Sequence, residues 1–572
     1  MTRTIIKKNF LFCCFIICTF LLLLYRISIH ADIYDEIINL DISYRVALGE
    51  IPFYNCWDSF QSGDILLAPF LWLYLKIVGK TSGIVLYSRF VYVCALLIVA
   101  IVIYFIFKNI FSKKAAFLLG YLFCFFQLYG LFYLWYDTFS VIFLTLGCLF
   151  TYGGLSKNRY NKILLFCGGI FHGLMAFSYP SFVLLAVFNA VLLFIYLGKF
   201  QKDSWKKGIF YIFGGLTVIF LFLIYVCFVI GVSNFLTTLD IILSYRSLSG
   251  TGGSFILFDI ISSFFCVNKI TIVPTMLLIL IFFVGMKKKK FEGLIEGLII
   301  IGILLTAIIN QVFLPEDMKG LANFMAYLAL WAPVMYVLRS QKKEKMDRTI
   351  IFFLWLPSIL SSICVALLTV YAENGPIKSW QGFILAGIVT IYYMCDYFIQ
   401  STQKSFLFSP QFWIGTIICI LLVIQYNYIY LNQPYITSSN IRIQEGIYKG
   451  IKVNTSMECW VDIQNAINYY TKNKSSILAG NRLRPIYLMT DLIPAVPTTE
   501  APCYFKNGQY HWDMTIKYFE THDIFPEIMF LEPYEIDNPD IQNILEERYE
   551  LIGEEYIGDY SILVYSYVKS DK

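Results

Sequence analysis

Residues 31–64 read ADIYDEIINLDISYRVALGEIPFYNCWDSFQSGD. This is the first long polar stretch, and it follows an apolar N-terminal run. It carries Asp32, Asp35, Glu36, Asp41, Asp58 and Asp64 in a chain of 572 residues of which only 15% are charged. Carboxylates gathered beside a membrane are costly unless they face water or do chemistry. The stretch is therefore where a catalytic base is expected, with the remaining helices built around it.

Working outward, the chain is 58% hydrophobic with mean hydropathy +0.67. Apolar runs of about 17–25 residues recur, each long enough to cross a bilayer. The chain is a polytopic membrane protein. Aromatics make up 18% of it, as suits residues that favour the membrane interface. The net charge of +5 is small. Its basic residues sit in short loops, so they report topology and point to no nucleic acid. Most of the 15 cysteines lie in apolar runs, where they act as small apolar residues. Cys56, Cys459 and Cys503 lie in polar segments, and the sequence specifies no disulfide among them. No Cys/His spacing suggests zinc.

Arg3, Lys7 and Lys8 precede the first apolar run, about 9–29. They put the N-terminus in the cytoplasm and the acidic loop, 30–83, outside. The run is longer than a signal-peptide core and has no small-residue cleavage site, so it reads as a retained anchor. The segment ILLAPFLWLYLKIVG (65–79) is short and carries Pro69 and Lys76. If it spanned, KNIFSKK (108–114) would land outside. Laid along the interface, it leaves every basic loop inside. The further spans are then about 84–107, 115–131, 138–154, 163–178, 181–198, 208–230, 270–286, 293–312, 320–338, 349–371, 382–399 and 412–430. That makes about thirteen transmembrane helices with an outer interfacial helix pair.

An odd number of spans places residues 431–572 outside as a small α/β domain, apart from a membrane module of 1–430. WVDIQNAINYYTK (460–472) reads as an amphipathic helix. SSILAG, IYLMTD, EIMFLEP and YSILVYSYV read as short strands.

The first loop has the form DE, a helix, then G-x-x-P-F: YDEIINLDISYRVALGEIPFYN. Here the sequence resembles the GT-C superfamily of polyprenyl-phosphate-dependent glycosyltransferases, of the protein O-mannosyltransferase and lipid A aminoarabinose transferase type. Ser88-Arg89 heading the next span, Tyr136-Asp-Thr-Phe-Ser opening a later one, and GGIFHGLMAFSYP (168–180) extend the resemblance. So do the span number and the outer C-terminal domain. The resemblance implies inverting transfer of a sugar from a polyprenyl-phosphate donor to an acceptor at the outer face. The acceptor would be a glycan, a lipid or a protein. A carboxylate takes the acceptor's proton.

By resemblance Asp35 is that base; as an Asp it would also suit a helix N-cap. Glu36 would orient the acceptor or complement the helix dipole. Asp137 is the second acid, or an ordinary interfacial residue. Arg89 and Arg246 would hold the donor phosphate, with Lys269 and Lys319 behind them. Arg89 could equally snorkel to headgroups. Asp41 is expected on a solvated face, and Asp32, Asp58 and Asp64 on the surface. The sequence departs from the family at Tyr179, where a Lys or Arg before the Pro is common, and in QSGDILLAP, which lacks a basic residue. His172 reads as a satisfied packing residue among glycines that bring helices close.

No cofactor or metal is expected. Some distant relatives bind a divalent cation with several acids, a part Asp35, Glu36 and Asp137 could take, but spacing specifies no such site. The composition, poor in Ala and rich in Ile, Lys and Asn, suggests an AT-rich bacterial genome and hence a cell-envelope acceptor. The alternative class is a transporter or flippase of a lipid-linked substrate, which would show inverted repeats and broken helices with charges near the midplane; neither is expected, since the acids cluster at one outer face. A third reading is a catalytically degenerate membrane assembly protein, which the Tyr179 departure leaves open.

Overall fold

A computed structural model describes residues 2–568 apart from 59–60, 109–111, 128–131, 157–159, 201–204, 249–261, 263–264, 267, 288–291, 315–320, 340–347, 369–379, 401–408, 428–439, 500–502 and 507–508. The chain is a polytopic helical membrane protein with a small C-terminal α/β domain. Among the described residues seven helices are long and apolar enough to span: Phe10–Ile27, Ile84–Phe107, Tyr136–Leu155, Asn161–Ser178, Pro180–Phe200, Trp205–Ile230 and Arg348–Val365. Shorter apolar helices include Lys269–Val284, Gly297–Phe313, Phe383–Asp396 and Pro410–Ile424. Their outward faces carry exposed large apolar residues, such as Phe228 and Leu236, as lipid contact requires.

Two expected spans are broken. Among its described residues the run at 115–131 is α-helical over Lys113–Tyr121, then tightens into a 3-10 turn over Leu122–Phe125. The Phe126 carbonyl, freed from the helix, accepts the Tyr92 hydroxyl at 2.9 Å. The run at 320–338 forms Leu321–Ala329 and Ala332–Arg339. Pro333 lacks an N–H and would clash with the carbonyl four residues back. That carbonyl, of Ala329, instead accepts the Trp355 indole N–H at 2.7 Å. Both breaks are filled by uncharged partners inside protein, which is where broken helices are tolerated.

Glycines set the packing of the middle helices. A Cβ at Gly169 would overlap the Tyr211 carbonyl, and one at Gly214 the Phe166 carbonyl. Helices Asn161–Ser178 and Trp205–Tyr225 therefore touch backbone to backbone, as small residues allow in membranes. His172 sits beside this contact and is satisfied as the sequence suggests. Its Nε2 accepts from Asn189 Nδ2 at 3.3 Å and lies 3.6 Å from Cys148 Sγ; its Nδ1–H then donates to the Tyr211 hydroxyl at 2.8 Å.

The outer loop supplies an interfacial helix pair. The loop helix, Asp35–Leu48, packs against Ala68–Val78. Eleven residues rise about 16 Å, roughly half a bilayer core. Trp72, Leu73 and Ile77 face out while Leu71 is buried, which suits a helix lying in the interface.

The C-terminal sheet has five strands: β1 (Ser476–Ala479), β2 (Ile493–Pro494), β3 (Ile528–Leu531), β4 (Tyr549–Ile557) and β5 (Tyr560–Tyr567), in the order β2-β1-β3-β5-β4. β2, β1 and β3 run parallel, and β5 and β4 are antiparallel. β1, β3 and β5 lie where strands are expected, as does the helix Cys459–Tyr470. IYLMTD is a correction: Ile486–Met489 is one helical turn. Pro485 opens it with a fixed φ. The Tyr487 hydroxyl bridges the Ala479 N–H and C=O, so the turn packs on β1 and Ile493–Pro494 takes the edge. β4 is not evident from the sequence because its acids alternate outward along a hairpin.

Gly169→Ala and Gly214→Ala should each destabilise by about 1–3 kcal/mol through overpacking. Gly198→Ala, where a Cβ meets nothing, should be neutral. Thermal unfolding in detergent of the three variants checks this.

Candidate active site

The site begins with one turn of backbone. Chain leaving the first membrane helix reaches the loop helix through Ser28–Tyr34. His30 has φ 67°, and its N–H donates to the Lys452 carbonyl at 2.8 Å, while Lys452 N–H returns to Ser28 O at 2.7 Å. The C-terminal domain is thus paired to the membrane helix where the loop starts. Asp32, not Asp35, caps the loop helix: its carboxylate accepts Tyr34 N–H at 3.1 Å and Glu36 N–H at 2.8 Å. Asp35 is the first helical residue and is half-buried.

Glu36 is buried and bidentate to Arg89, Nε–Oε1 2.6 Å and Nη2–Oε2 2.5 Å. Arg89 Nη1 donates to the Ile27 and Ile29 carbonyls at 2.9 and 3.3 Å. Those carbonyls end the first membrane helix, where four C=O groups lack helical partners. One guanidinium therefore ties the end of one helix to the start of the next. Glu36 and Arg89, expected in separate roles, are each other's partners.

The expectation that the other loop acids are exposed is overturned. Asp32, Asp41, Asp58 and Asp64 are buried, because the C-terminal domain closes over the loop. Arg45, fully buried, pairs with Glu50 at 2.7 Å and donates to the Asn55 and Val496 carbonyls at 2.9 and 2.8 Å. Trp57 N–H reaches Pro497 O at 2.7 Å, and the Tyr44 hydroxyl reaches Thr490 O at 3.1 Å. The Thr498 hydroxyl and the Cys56 thiol both donate to Asp58. Burial holds Asp41 well above the usual carboxylate range, and neither of its oxygens has a hydrogen-bond partner among the described residues. Of the acids in 31–64, Asp35 and Glu50 are the two not buried, and Glu50 is the one tied to Arg45.

Asp137 is fully buried at the head of Tyr136–Leu155. Its Oδ1 accepts Gln381 Nε2 at 3.1 Å. The turn Gln61–Asp64 lies over this helix mouth, with Gly63 against Tyr136 so closely that a Cβ would overlap. The Tyr136 ring packs on Tyr179 at 5.4 Å. Tyr179, where the family commonly has a cation, is buried and donates to Val365 O at 3.4 Å. It holds helix ends together and supplies no charge. The Arg246 backbone belongs to the helix Val232–Leu248; its side chain and all of Lys319 lie outside the described residues. Lys269 is exposed.

Among the described residues no three His, Cys, Asp or Glu side chains gather to hold a metal, and both Glu36 oxygens are taken by Arg89. The residues do not fit a metal shared by Asp35, Glu36 and Asp137. Cys56, Cys459 and Cys503 are free thiols, like the other cysteines. The sequence reading missed Tyr34, Tyr448, Arg482 and Arg484, which lie where the loop meets the C-terminal domain. The Asn-Arg-Leu-Arg-Pro run at 481–485 was the available signal.

No family model and no curated protein matches the chain. Among solved structures it is similar to ArnT from Cupriavidus metallidurans in the apo state, at 9% identity and TM-score 0.42 over 98% of both chains. It is similar to the same protein bound to undecaprenyl phosphate, at 12% and 0.39 over 98% of both. It is also similar to the archaeal oligosaccharyltransferase AglB from Archaeoglobus fulgidus in complex with an inhibitory peptide and a dolichol-phosphate, at 11% and 0.47 over 99% of this chain and 75% of that one.

Two stability tests follow from the geometry. Arg89→Ala strands Glu36 as a buried charge and should cost about 3–5 kcal/mol; adding Glu36→Gln should recover part of the loss in thermal unfolding. The second concerns pH. Burial, then the nearby Asp35 charge, pushes Asp32 up to about 7, and burial pushes Glu535 up to about 7. A raised acid binds protons in the folded state that the unfolded chain has lost, so its stabilisation is full below about 4 and lost as pH rises through 7. His30, pushed down to about 3 by burial and Arg89, acts oppositely below 6.5. Asp32→Asn isolates one group: its melting temperature relative to wild type should rise by a few degrees between pH 4 and 8. A pH-independent difference would sink the assignment.

Proposed function

We propose that the protein transfers a sugar from a polyprenyl-phosphate donor to an acceptor at the outer face of the cell membrane, with inversion. The N-terminus is then cytoplasmic and the C-terminal domain extracytoplasmic. The observation that carries the reading is the state of Asp35. Its backbone is fixed by the Asp32 cap and the Glu36–Arg89 pair, while the residue itself stays half-buried in a loop otherwise lined with buried acids. A general base needs both: a fixed position and access to the proton it removes. The first-loop resemblance assigns the same residue.

In the proposed reaction the acceptor oxygen bonds the anomeric carbon as the carbon–phosphate oxygen bond breaks. The lipid phosphate leaves with that electron pair, and the acceptor proton passes to Asp35. Glu36 acts by holding the loop helix. Asp137, buried among the outer helix ends with Gln381, is the second acid of the site. Arg89 has its donors engaged by Glu36 and two carbonyls, so its charge is balanced within the loop, and Arg246 is the candidate for direct contact with the donor phosphate.

Purified protein incubated with polyprenyl-phosphate sugars tests this. Asp35→Asn should lower turnover about 10²–10⁴-fold without loss of thermal stability. Undiminished turnover in the variant would defeat the base assignment. Absence of turnover with every donor in wild type would defeat the transferase reading.

A further inference from the structure

The C-terminal domain turns a basic and aromatic face toward Tyr34. The segment Asn481–Pro485 follows β1. The Arg484 guanidinium lies 6.0 Å from the ring centroid of Tyr34, the residue before Asp35. Arg484 Nε is buried and has no hydrogen-bond partner among the described residues. The nearby Asp41 does not neutralise it by contact, since both Asp41 oxygens are likewise unbonded among those residues. Arg482 bonds Glu532 at 3.1 Å and sits 5.1 Å over the Tyr560 ring, yet its side chain remains 39% exposed. Tyr34 is 37% exposed and within electrostatic reach of Arg482 and Tyr560. Tyr448, close to Asp32, Glu36 and Tyr560, has a buried hydroxyl without a partner among the described residues.

A guanidinium with an unbonded Nε and a second, part-exposed guanidinium beside the exposed Tyr34 ring make a recognition surface. A guanidinium fork matches the oxygens of phosphate or carboxylate. An exposed tyrosine offers an apolar ring face with a polar tip.

We propose that Arg482 and Arg484, with Tyr34 and Tyr560, form the subsite that receives the acceptor, and that the acceptor is a saccharide bearing an oxyanion, phosphate or carboxylate. The acceptor role rests on the transferase reading above; the anion subsite stands on the geometry alone.

The test uses the full chain in detergent micelles. Glucose 6-phosphate, glucuronate and glucose are titrated separately, with binding followed by saturation-transfer NMR, and thermal unfolding verifies each variant's fold. Wild type should bind at least one anionic sugar and bind glucose far more weakly; the two anions distinguish phosphate from carboxylate. Arg484→Gln should weaken anion binding about tenfold. Arg482→Gln, at a partly exposed position, should weaken it in a chain that still folds. Equal binding of glucose, no binding of either anion, or indifference to both substitutions overturns the subsite. Wild-type donor hydrolysis without acceptor is measured alongside. Arginine-dependent anion binding without any donor turnover would sink the acceptor role and keep the subsite. Turnover with binding indifferent to the arginines would sink the subsite alone.

Discussion

The Glu36–Arg89 ion pair is the constraint on which the outer face depends. Both side chains are buried, so the pair is not a net source of stability. Its value is positional. Arg89 also accepts the duty of satisfying the Ile27 and Ile29 carbonyls, groups that water cannot reach at that depth. Four hydrogen bonds from one planar group therefore join the end of the first membrane helix, the start of the loop helix and the head of the next span. The direction of the loop helix follows, and with it the position of Asp35.

Cohesion crosses the compositional divide at residues 430/431. Loop residues 28–58 bond Lys452, Thr490, Val496, Pro497 and Thr498, so the loop is held as firmly by the C-terminal domain as by the membrane helices. This closure explains the burial of Asp41 and Asp58. A carboxylate removed from water is costly as an anion, and burial accordingly holds both above the usual range. Acids expected in water became interior groups because a surface formed by residues more than 400 positions away covers them.

Legibility in the sequence followed the range of the physics. Hydropathy and basic loops act locally, and helices lie at the expected spans. The short Ala68–Val78 helix was legible because charge in distant loops excluded its crossing. Pro333 marked one break in advance. The break after Tyr121 depends on the Tyr92 hydroxyl, and the fate of IYLMTD on Tyr487 reaching back to Ala479; neither partner is visible in a window of sequence. The same holds at the site. Asp35 and Glu36 stand out by spacing, but that Glu36 is spoken for by Arg89, 53 residues on, is a tertiary fact. So is the role of Tyr179, which reads as a missing cation and acts as packing for Tyr136.

The loop acids are thus sorted by environment and not by type. Asp32 spends its oxygens on two backbone N–H groups, Glu36 on a guanidinium, and Asp58 on a hydroxyl and a thiol. Asp41 is enclosed. Each is thereby unfit to exchange a proton with an arriving molecule, because its oxygens are committed or inaccessible. Asp35 stands three residues after the Asp32 cap and one before the Glu36–Arg89 ion pair, so its backbone inherits their rigidity, while the residue stays half-buried. Proximity to two structural acids is what fixes the third in place, and carboxylates in 31–64 serve largely as scaffold.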